Sequence, residues 1–120
     1  GRRVPVASLA AIPADRGRGR NRSKLPTRFA ITAGRQQGTS VPVEPTINLG
    51  RAADSTLLLD DDYASARHAQ LVQKDATTWV ITDLQSTNGT YVNGKLVTEP
   101  TKVTVGDVVR IGKTLMRFEI

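Results

Sequence analysis

The sequence predicts an all-β fold, an antiparallel sandwich of two sheets. Apolar and polar residues alternate in short runs, as around Phe29, Ile31 and Ala33, and this period of two is typical of half-buried strands. Turn-forming residues separate the runs at intervals of about ten residues. No stretch of about 11 residues or more has helical periodicity. A closed barrel is the alternative that these observations leave open.

The predicted strands follow one another as about ten short runs. The first run, 28–33, precedes a turn and a returning run, so we expect a hairpin there. Asn93-Gly94 is the strongest short hairpin signal, because both residues tolerate positive φ. The runs are 28–33, 40–44, 57–59, 69–74, 79–84, 91–92, 95–97, 102–105, 108–111 and 115–120, with 46–49 leading into Gly50. The residues expected to fill the core include Trp79, Val80, Ile81 and Leu84.

The net charge of +6 is confined to one end of the chain. Residues 1–24 hold seven Lys or Arg and one acid, Asp15, whereas residues 25–120 hold ten basic and ten acidic side chains. The run 16–22 alternates arginine with glycine or asparagine, and it has no apolar surface with which to offset its ordering entropy. We therefore expect residues 1–26 to be a basic, disordered linker and residues 27–120 to be the folded domain.

The linker is expected to act as a soluble tether or to lie near an anionic membrane surface. It has no aromatic residues between its arginines, which disfavours specific nucleic-acid binding. The chain has no cysteine, so disulfides and thiolate metal sites are excluded. No run approaches the ~20 apolar residues of a membrane span. We expect a cytoplasmic protein without a cofactor, and an upstream tether to the inner face of the membrane is left open.

The stretch 50–94 carries the polar residues expected to function. It contains Arg51, Ser65, His68 and Asn88 among short apolar runs. An arginine fork suits a phosphate, because two parallel N–H donors match two phosphate oxygens. The sequence therefore predicts a site at the rim of the folded domain that binds a phosphate group carried by another protein.

The residues of this stretch also suggest two other chemistries, catalysis and metal binding. Ser65 and His68 resemble a nucleophile and its base, but no third orienting group, oxyanion hole or Gly-x-Ser-x-Gly elbow accompanies them. His68 is better explained as a buried hydrogen-bonding residue, and it has no His or Cys partner for a metal. Asp60, Asp61 and Asp62 lack the spacing of a calcium loop. We expect them in a solvated loop, pointing away from the phosphate or contacting basic residues of a partner.

Gly50-Arg51, Ser65-x-x-His68 and Asn88-Gly89, in this order in an all-β chain, resemble the forkhead-associated (FHA) domain. The resemblance covers about residues 27–120, and the segment 61–68 is further similar to single-FHA-domain proteins of actinobacteria. This resemblance implies a β-sandwich of about eleven strands, whose loops at one end bind phosphothreonine peptides.

The resemblance also implies a set of site residues. Arg51 and Ser65 would contact the phosphate, while Thr87 and Asn88 would lie at the rim, with Asn88 holding the peptide backbone. The residues expected to support the loops are Gly50, His68 and Gly89.

Two positions near the serine depart from the pattern of many family members. Tyr63 and Ala66 stand where a basic, amide or polar residue is common, so one phosphate contact is expected to be missing. Arg67 is the expected substitute, and Ala66 and Arg67 are therefore counted with the peptide-binding residues.

The expected function is phosphothreonine-dependent recognition of a protein in Ser/Thr kinase signalling, without enzymatic activity. The resemblance suggests a kinase activation loop, or a cell-wall or division protein, as the partner. A phosphate-independent adaptor that binds through a sheet edge is the main alternative. A hydrolase or transferase and binding through the arginine-rich segment alone are the other two.

Overall fold

A computed structural model describes residues 25–120, which form strands and no helix. The strands, in chain order, are β1 (Arg28–Ala33), β2 (Ser40–Pro42), β3 (Thr46–Gly50), β4 (Leu57–Leu58), β5 (Ala69–Gln73), β6 (Trp79–Asp83), β7 (Tyr91–Val92), β8 (Lys95–Leu96), β9 (Thr101–Val103), β10 (Val109–Ile111) and β11 (Thr114–Glu119). Within these residues, no helix has the length and hydropathy needed to span a membrane.

The strands form two sheets. One sheet has the order β2-β1-β11-β10-β7-β8 and the other has the order β4-β3-β5-β6-β9. The edge strands of the sheets, β2 and β8 in one and β4 and β9 in the other, pair with a neighbour on one side only. Neither sheet closes on itself, so the fold is a sandwich and a closed barrel is excluded. One pairing departs from the antiparallel pattern, because β3 and β4 run parallel, with Leu49 opposite Leu57 and Gly50 opposite Leu58.

Both hairpins expected from the sequence are present. β1 pairs with β2, although β2 ends at Pro42 and is shorter than the predicted run 40–44. One further backbone hydrogen bond follows the strand, from Val43 N–H to the carbonyl of Thr27 at 3.1 Å. β7 and β8 meet at Asn93 and Gly94, whose φ angles are 50° and 82°. Two consecutive positive φ angles are the signature of the tight hairpin turn predicted there.

The core lies between the sheets and centres on three aromatic rings. The ring centroids of Phe29 and Phe118 are 4.7 Å apart, and those of Trp79 and Phe118 are 4.5 Å apart. The Trp79 indole N–H donates to the carbonyl of Glu44 at 3.1 Å, which satisfies its one polar group. Aliphatic side chains from both sheets complete this cluster.

The prediction of which residues around β6 fill the core was right for two residues of four. Trp79 and Ile81 are buried, but Val80 is only half-buried and Leu84 is 39% exposed. Side chains alternate between the two faces of a strand, so the even-numbered residues of β6 point away from the core. Leu84 follows the end of β6 with the same parity as Val80, and its placement in the core was wrong.

The register of the second sheet brings three loops to one edge. Leu49 near the end of β3 lies opposite Ala69 at the start of β5, and Ala69 lies opposite Asp83 at the end of β6. The loops 51–56, 59–68 and 84–90 therefore leave the sheet side by side. We call this region the three-loop edge. The predicted basic linker lies almost wholly outside residues 25–120, and its boundary after residue 26 stays a prediction.

Candidate functional site

Backbone hydrogen bonds join the first two loops of the three-loop edge. Arg51 N–H donates to the carbonyl of Ser65 at 3.0 Å, and Ala52 N–H donates to the carbonyl of Ala66 at 3.1 Å. Arg51 and Ser65 are 14 positions apart in the sequence, yet their backbones are in contact. Arg51 is exposed and Ser65 is half-buried, so both residues reach the surface where the backbones of the two loops meet.

Gly50 permits this close approach. A Cβ at residue 50 would overlap the carbonyl oxygen of Ala66 and lie 2.8 Å from the carbonyl carbon. Real Cβ atoms do not approach backbone atoms so closely, so a side chain at residue 50 would push the two loops apart. The glycine before the arginine is needed here for space.

His68 connects the second loop to the third from a fully buried position. Its Nδ1 accepts the N–H of Ser65 at 2.9 Å, and its Nε2 lies 2.9 Å from the carbonyl oxygen of Gly89. Because Nδ1 is an acceptor, the proton is on Nε2, which then donates to Gly89. This neutral ring fixes the backbone on both sides of the candidate site, an arrangement that supports the loop-bracing role expected for His68.

Asp83 organises the third loop. Its Oδ1 accepts the hydroxyls of Ser86 at 2.6 Å and Thr90 at 2.7 Å, and its Oδ2 accepts the N–H of Ser86 at 3.0 Å. Burial by itself raises the pKa of Asp83, but the hydrogen bonds from Ser86 and Thr90 outweigh burial, and the pKa lies below its ordinary value. Sequence reasoning missed Asp83, although an acid three residues before a serine is a signal of a side-chain-stabilised turn.

Acid should unfold the domain partly through Asp83. Because folding lowers the pKa of Asp83, its carboxylate contributes its full stability above the unfolded pKa of about 3.9. That contribution is lost as the pH falls through the lower, folded-state pKa. We expect the Tm difference between wild type and Asp83→Asn to be largest near neutral pH and to shrink below about pH 4.

Circular-dichroism melts across the acid range measure this difference, and Glu99→Gln controls for the loss of one exposed negative charge. A Tm difference between wild type and Asp83→Asn that stays constant down to the acid limit would show that Asp83 does not titrate in this way.

Thr87 and Asn88 lie at the tip of the third loop, and both are exposed. Thr87 N–H donates to Ser65 Oγ at 3.2 Å, and Asn88 Nδ2 donates to the carbonyl of Tyr63 at 3.0 Å. These two hydrogen bonds thus join the third loop to the second. Gly89 has φ of 89°, and a Cβ there would lie 2.8 Å from Leu96 Cδ1, so both conformation and space favour glycine. The Asn88 side-chain oxygen accepts no hydrogen bond from residues 25–120 and is available to a partner.

Arg67 points to a different partner from the one expected. Its two terminal nitrogens donate to the two carboxylate oxygens of Asp54 at 3.2 and 3.1 Å. This exposed bidentate pair raises the pKa of Arg67 through the hydrogen bond and the charge of Asp54. Both terminal nitrogens of Arg67 are thus engaged by Asp54. Ala66 contributes its carbonyl to the first loop, as described above, and its methyl group is exposed.

The acidic run 60–62 is not a uniformly solvated loop, and the expectation for Asp61 was wrong. Asp61 is buried; its Oδ2 accepts the N–H of Lys113 and the hydroxyl of Thr114, both at 2.8 Å, and its Oδ1 accepts the N–H of Tyr63 at 2.8 Å. It therefore ties the second loop to the turn between β10 and β11. Sequence reasoning had no signal for this connection, because Lys113 and Thr114 lie more than 50 positions from Asp61 in the chain.

Asp60 and Asp62 are exposed but paired. Arg35 donates to Asp60 at 3.3 Å and to Asp62 at 2.8 Å. The hydrogen bond from Arg35 is the main cause of a lowered pKa for Asp62, and the charge of Arg51 adds to it. Arg35 thus offsets the negative charge that these acids would otherwise present to a phosphate held by Arg51.

The sequence profile of the FHA domain matches residues 47–112, which contain all three loops described above. The chain belongs to the FHA domain family. FHA domains are phosphopeptide-recognition modules and not enzymes. The matched range includes Gly50-Arg51, Ser65, His68 and Asn88-Gly89, and the sequence-based assignment to this family and to a two-sheet sandwich is confirmed.

Three similar proteins agree with this assignment. The FHA domain-containing protein FhaB of Mycolicibacterium smegmatis is 44% identical over 101 residues, which cover 82% of this chain and 64% of FhaB. Mycobacterium tuberculosis EmbR, solved in complex with a low-affinity phosphopeptide, matches with a TM-score of 0.68 and 28% identity over 78% of this chain and 24% of EmbR. A domain solved in a structural and functional analysis of phosphothreonine-dependent FHA interactions matches with a TM-score of 0.67 and 28% identity, over 78% of this chain and 94% of that chain.

This FHA chain spans less than two thirds of the length of FhaB. The family membership, the fold and the general kind of function are shown by these matches. The role of each site residue stays a prediction.

Proposed function

We propose that this FHA domain recognises phosphothreonine on a protein partner, with Arg51 and Ser65 binding the phosphate and Asn88 binding the peptide backbone beside it. The observation that carries the proposal is the convergence of these three residues on loops that His68 braces from below. Loops that are distant in the chain meet at one edge of the sheet, and the hydrogen bonds of the buried His68 ring hold them together.

The charges at this rim are arranged to favour the binding of a doubly negative phosphate group. A phosphothreonine carries about −1.5 to −2 charges near pH 7 and three strong acceptor oxygens. Within residues 25–120, the Arg51 side chain makes no hydrogen bond and no ion pair within 4.0 Å, so its donors are available. The acids on the neighbouring loops, Asp54, Asp60 and Asp62, are each paired with Arg67 or Arg35. An incoming phosphate therefore meets an open guanidinium, and two arginines offset part of the negative charge of the three neighbouring carboxylates.

Preorganisation adds to the affinity. Thr87 N–H already points to Ser65 Oγ, and the backbone on either side of Ser65 is held by Arg51 and His68. A loop that is ordered before binding loses less conformational entropy when the peptide arrives. Charge-assisted hydrogen bonds contribute about 1.5–3 kcal/mol each, and a micromolar complex requires about 8 kcal/mol. A few such bonds from Arg51 and Ser65, with the neutral bonds of Asn88, supply the polar part of the free energy that a micromolar complex requires.

The partner is proposed to be a substrate of a Ser/Thr kinase or the activation loop of such a kinase. The actinobacterial resemblance favours proteins of the cell wall or of cell division. Because such kinases consume ATP, we place the domain on the cytoplasmic side of the membrane. The basic residues 1–24 are proposed to lie near anionic lipids, where each Lys or Arg contributes about 1 kcal/mol.

A degenerate peptide library tests the function directly. We expect the domain to retain peptides with a fixed central phosphothreonine, with micromolar Kd values by calorimetry for the selected sequences. The same sequences with unmodified threonine should not bind measurably, because the dianion supplies most of the polar contacts. Equal retention of the phosphorylated and unmodified libraries would overturn the proposal.

A phosphate-independent adaptor that binds through a sheet edge is the main alternative. A groove of about 450 Å³ lies between the edge strands β8 and β9 and is lined by Lys95, Leu96, Glu99 and Lys102, among others. Its charges are mixed, and it includes none of the residues of the three-loop edge. An adaptor that used this groove would bind modified and unmodified peptides alike, so the library experiment separates the two functions.

A further inference from the structure

The chain contains two Asn-Gly pairs, at 88–89 and 93–94, and their surroundings differ. In this dipeptide the glycine nitrogen can attack the side-chain amide carbon of the asparagine, because glycine has no Cβ to hinder the approach. The attack closes a five-membered succinimide ring and releases ammonia. How firmly each asparagine is held decides which of the two pairs reacts first.

Asn93 is held at both ends of its side-chain amide. Its Nδ2 donates to Asp107 Oδ1 at 2.9 Å, and its Oδ1 accepts the N–H of Val108 at 2.9 Å. Its backbone has φ of 50° in the tight turn between β7 and β8. Two hydrogen bonds must therefore break before the amide carbon of Asn93 can turn towards the nitrogen of Gly94.

Asn88 is held at one end only. It is exposed, and its Nδ2 donates to the carbonyl of Tyr63 at 3.0 Å, whereas its Oδ1 accepts no hydrogen bond from residues 25–120. A difference of one hydrogen bond between the two asparagines corresponds to a factor of about five in the ease of turning the amide. The amide carbon of Asn88 is thus the freer of the two.

The nitrogen of Gly89 also has a path for its proton. Gly89 N–H donates to Ser86 Oγ at 3.0 Å, and the Ser86 hydroxyl donates to Asp83 Oδ1 at 2.6 Å. A proton that leaves Gly89 passes to Ser86 while the proton of Ser86 passes to the carboxylate. In the described part of the chain, the N–H of Gly94 has no such acceptor.

We propose that Asn88-Gly89 is a deamidation site, and that its conversion to aspartate or isoaspartate ends the binding of phosphothreonine peptides. The nitrogen of Gly89 gives its proton to the chain of Ser86 and Asp83 and forms a bond with Cγ of Asn88. The bond between Cγ and Nδ2 then breaks, and Nδ2 takes up the proton that Gly89 gave up and leaves as ammonia. One water molecule opens the succinimide, and no other reactant is needed.

Either product changes the rim of the domain. An aspartate at this position cannot donate to the carbonyl of Tyr63, and its negative charge repels the phosphate. Isoaspartate also adds one carbon to the backbone of the third loop. This consequence rests on the proposed function, in which Asn88 holds the peptide backbone. Because a bound peptide engages the Asn88 side chain, we expect occupied domains to deamidate more slowly than empty ones.

The first test follows both pairs in the same protein. The chain is incubated at neutral pH, and peptide mass spectrometry measures the conversion of each asparagine with time. We expect Asn88 to convert about fivefold faster than Asn93. A saturating phosphothreonine peptide should slow the conversion of Asn88 alone, and its unmodified counterpart should slow neither. Absence of conversion at Asn88, or conversion of Asn93 at an equal or higher rate, would overturn the deamidation site.

Ser86→Ala tests the proton path. The variant lacks the hydroxyl that accepts the N–H of Gly89, so Asn88 should convert more slowly than in the wild type, while Asn93 converts at the same rate. Ser86→Thr keeps the hydroxyl and is the matched control, which should retain the conversion of Asn88. Faster conversion of Asn88 in Ser86→Ala would show that Ser86 restrains the loop, and the proton path would be wrong.

Asn88→Asp reproduces one product and tests its effect on binding. Titration calorimetry with a selected phosphothreonine peptide should show about tenfold weaker binding, from the lost hydrogen bond and the added repulsion. Asn93→Asp, the same change in the other pair, should bind as the wild type does, and circular dichroism checks that both variants are folded. Wild-type affinity of Asn88→Asp would overturn the loss of binding. Failure of every phosphothreonine peptide to bind would overturn the proposed function, whereas the deamidation site is decided by the rates alone.

Discussion

Arg51→Ala should weaken binding of a phosphothreonine peptide at least tenfold. The arginine presents two parallel donors to two phosphate oxygens, and each charge-assisted bond contributes about 1.5–3 kcal/mol. Loss of a single such bond already corresponds to a factor of about ten. Arg51 is exposed, and its side chain bonds to no other residue of the range 25–120, so the fold should be unaffected. Titration calorimetry with a selected phosphopeptide measures the change.

Arg51→Lys separates charge from geometry. A lysine keeps the positive charge but cannot reproduce the fork, so we expect an affinity between those of wild type and Arg51→Ala. Arg117→Ala removes an exposed arginine from β11 and is the matched control, which should bind as the wild type does. If Arg51→Ala and Arg117→Ala bind the phosphopeptide equally well, Arg51 does not hold the phosphate.

Gly50→Ala should produce the largest loss of stability among the substitutions discussed. The new methyl group would overlap the carbonyl oxygen of Ala66, and that carbonyl is fixed because it accepts the N–H of Ala52. Overlap with rigid surroundings costs about 3 kcal/mol, and loss of one backbone hydrogen bond adds about 1 kcal/mol. A destabilisation of about 4 kcal/mol lowers Tm by more than about 15 °C in a domain of this size.

Gly38→Ala is the control for this experiment. Gly38 has φ of 97°, but a Cβ there meets no atom within 4 Å, so only backbone strain of about 1–2 kcal/mol is expected. Denaturant unfolding of both variants compares a steric overlap with strain alone. A Gly50→Ala variant that loses no more stability than Gly38→Ala would show that the first two loops can separate without cost. Peptide binding should fall with Gly50→Ala even where the protein stays folded, because Arg51 and Ser65 would move apart.

Local sequence patterns were sufficient to predict the strands and most of the turns. Alternation of apolar residues identified β1 and β6, and Asn93-Gly94 identified the hairpin between β7 and β8. The same alternation would have excluded Leu84 from the core, since Leu84 has the parity of the outward-facing residues of β6.

The site was predictable only as a set of residue types. Arginine, serine, histidine and asparagine in a particular order indicated a phosphate-binding module, because their chemistry suits a dianion. The roles of the acids were not predictable. Asp61, Asp60 and Asp62 are neighbours in the chain, yet one is a buried acceptor for the turn at Lys113 and the other two pair with Arg35. No local pattern distinguishes these roles, because the residues that pair with the three acids come from distant parts of the chain.

The sequence by itself determined that this is an all-β FHA chain with a phosphate-binding set of side chains, since strand periodicity, turn propensity and donor chemistry are local properties. Tertiary structure alone decided where those side chains meet. The register of β3, β5 and β6 places three loops side by side, His68 bridges two of them, and Asp61 ties the second loop to the turn at Lys113. Contacts between residues far apart in the chain depend on how the two sheets pack, and no short segment encodes that packing.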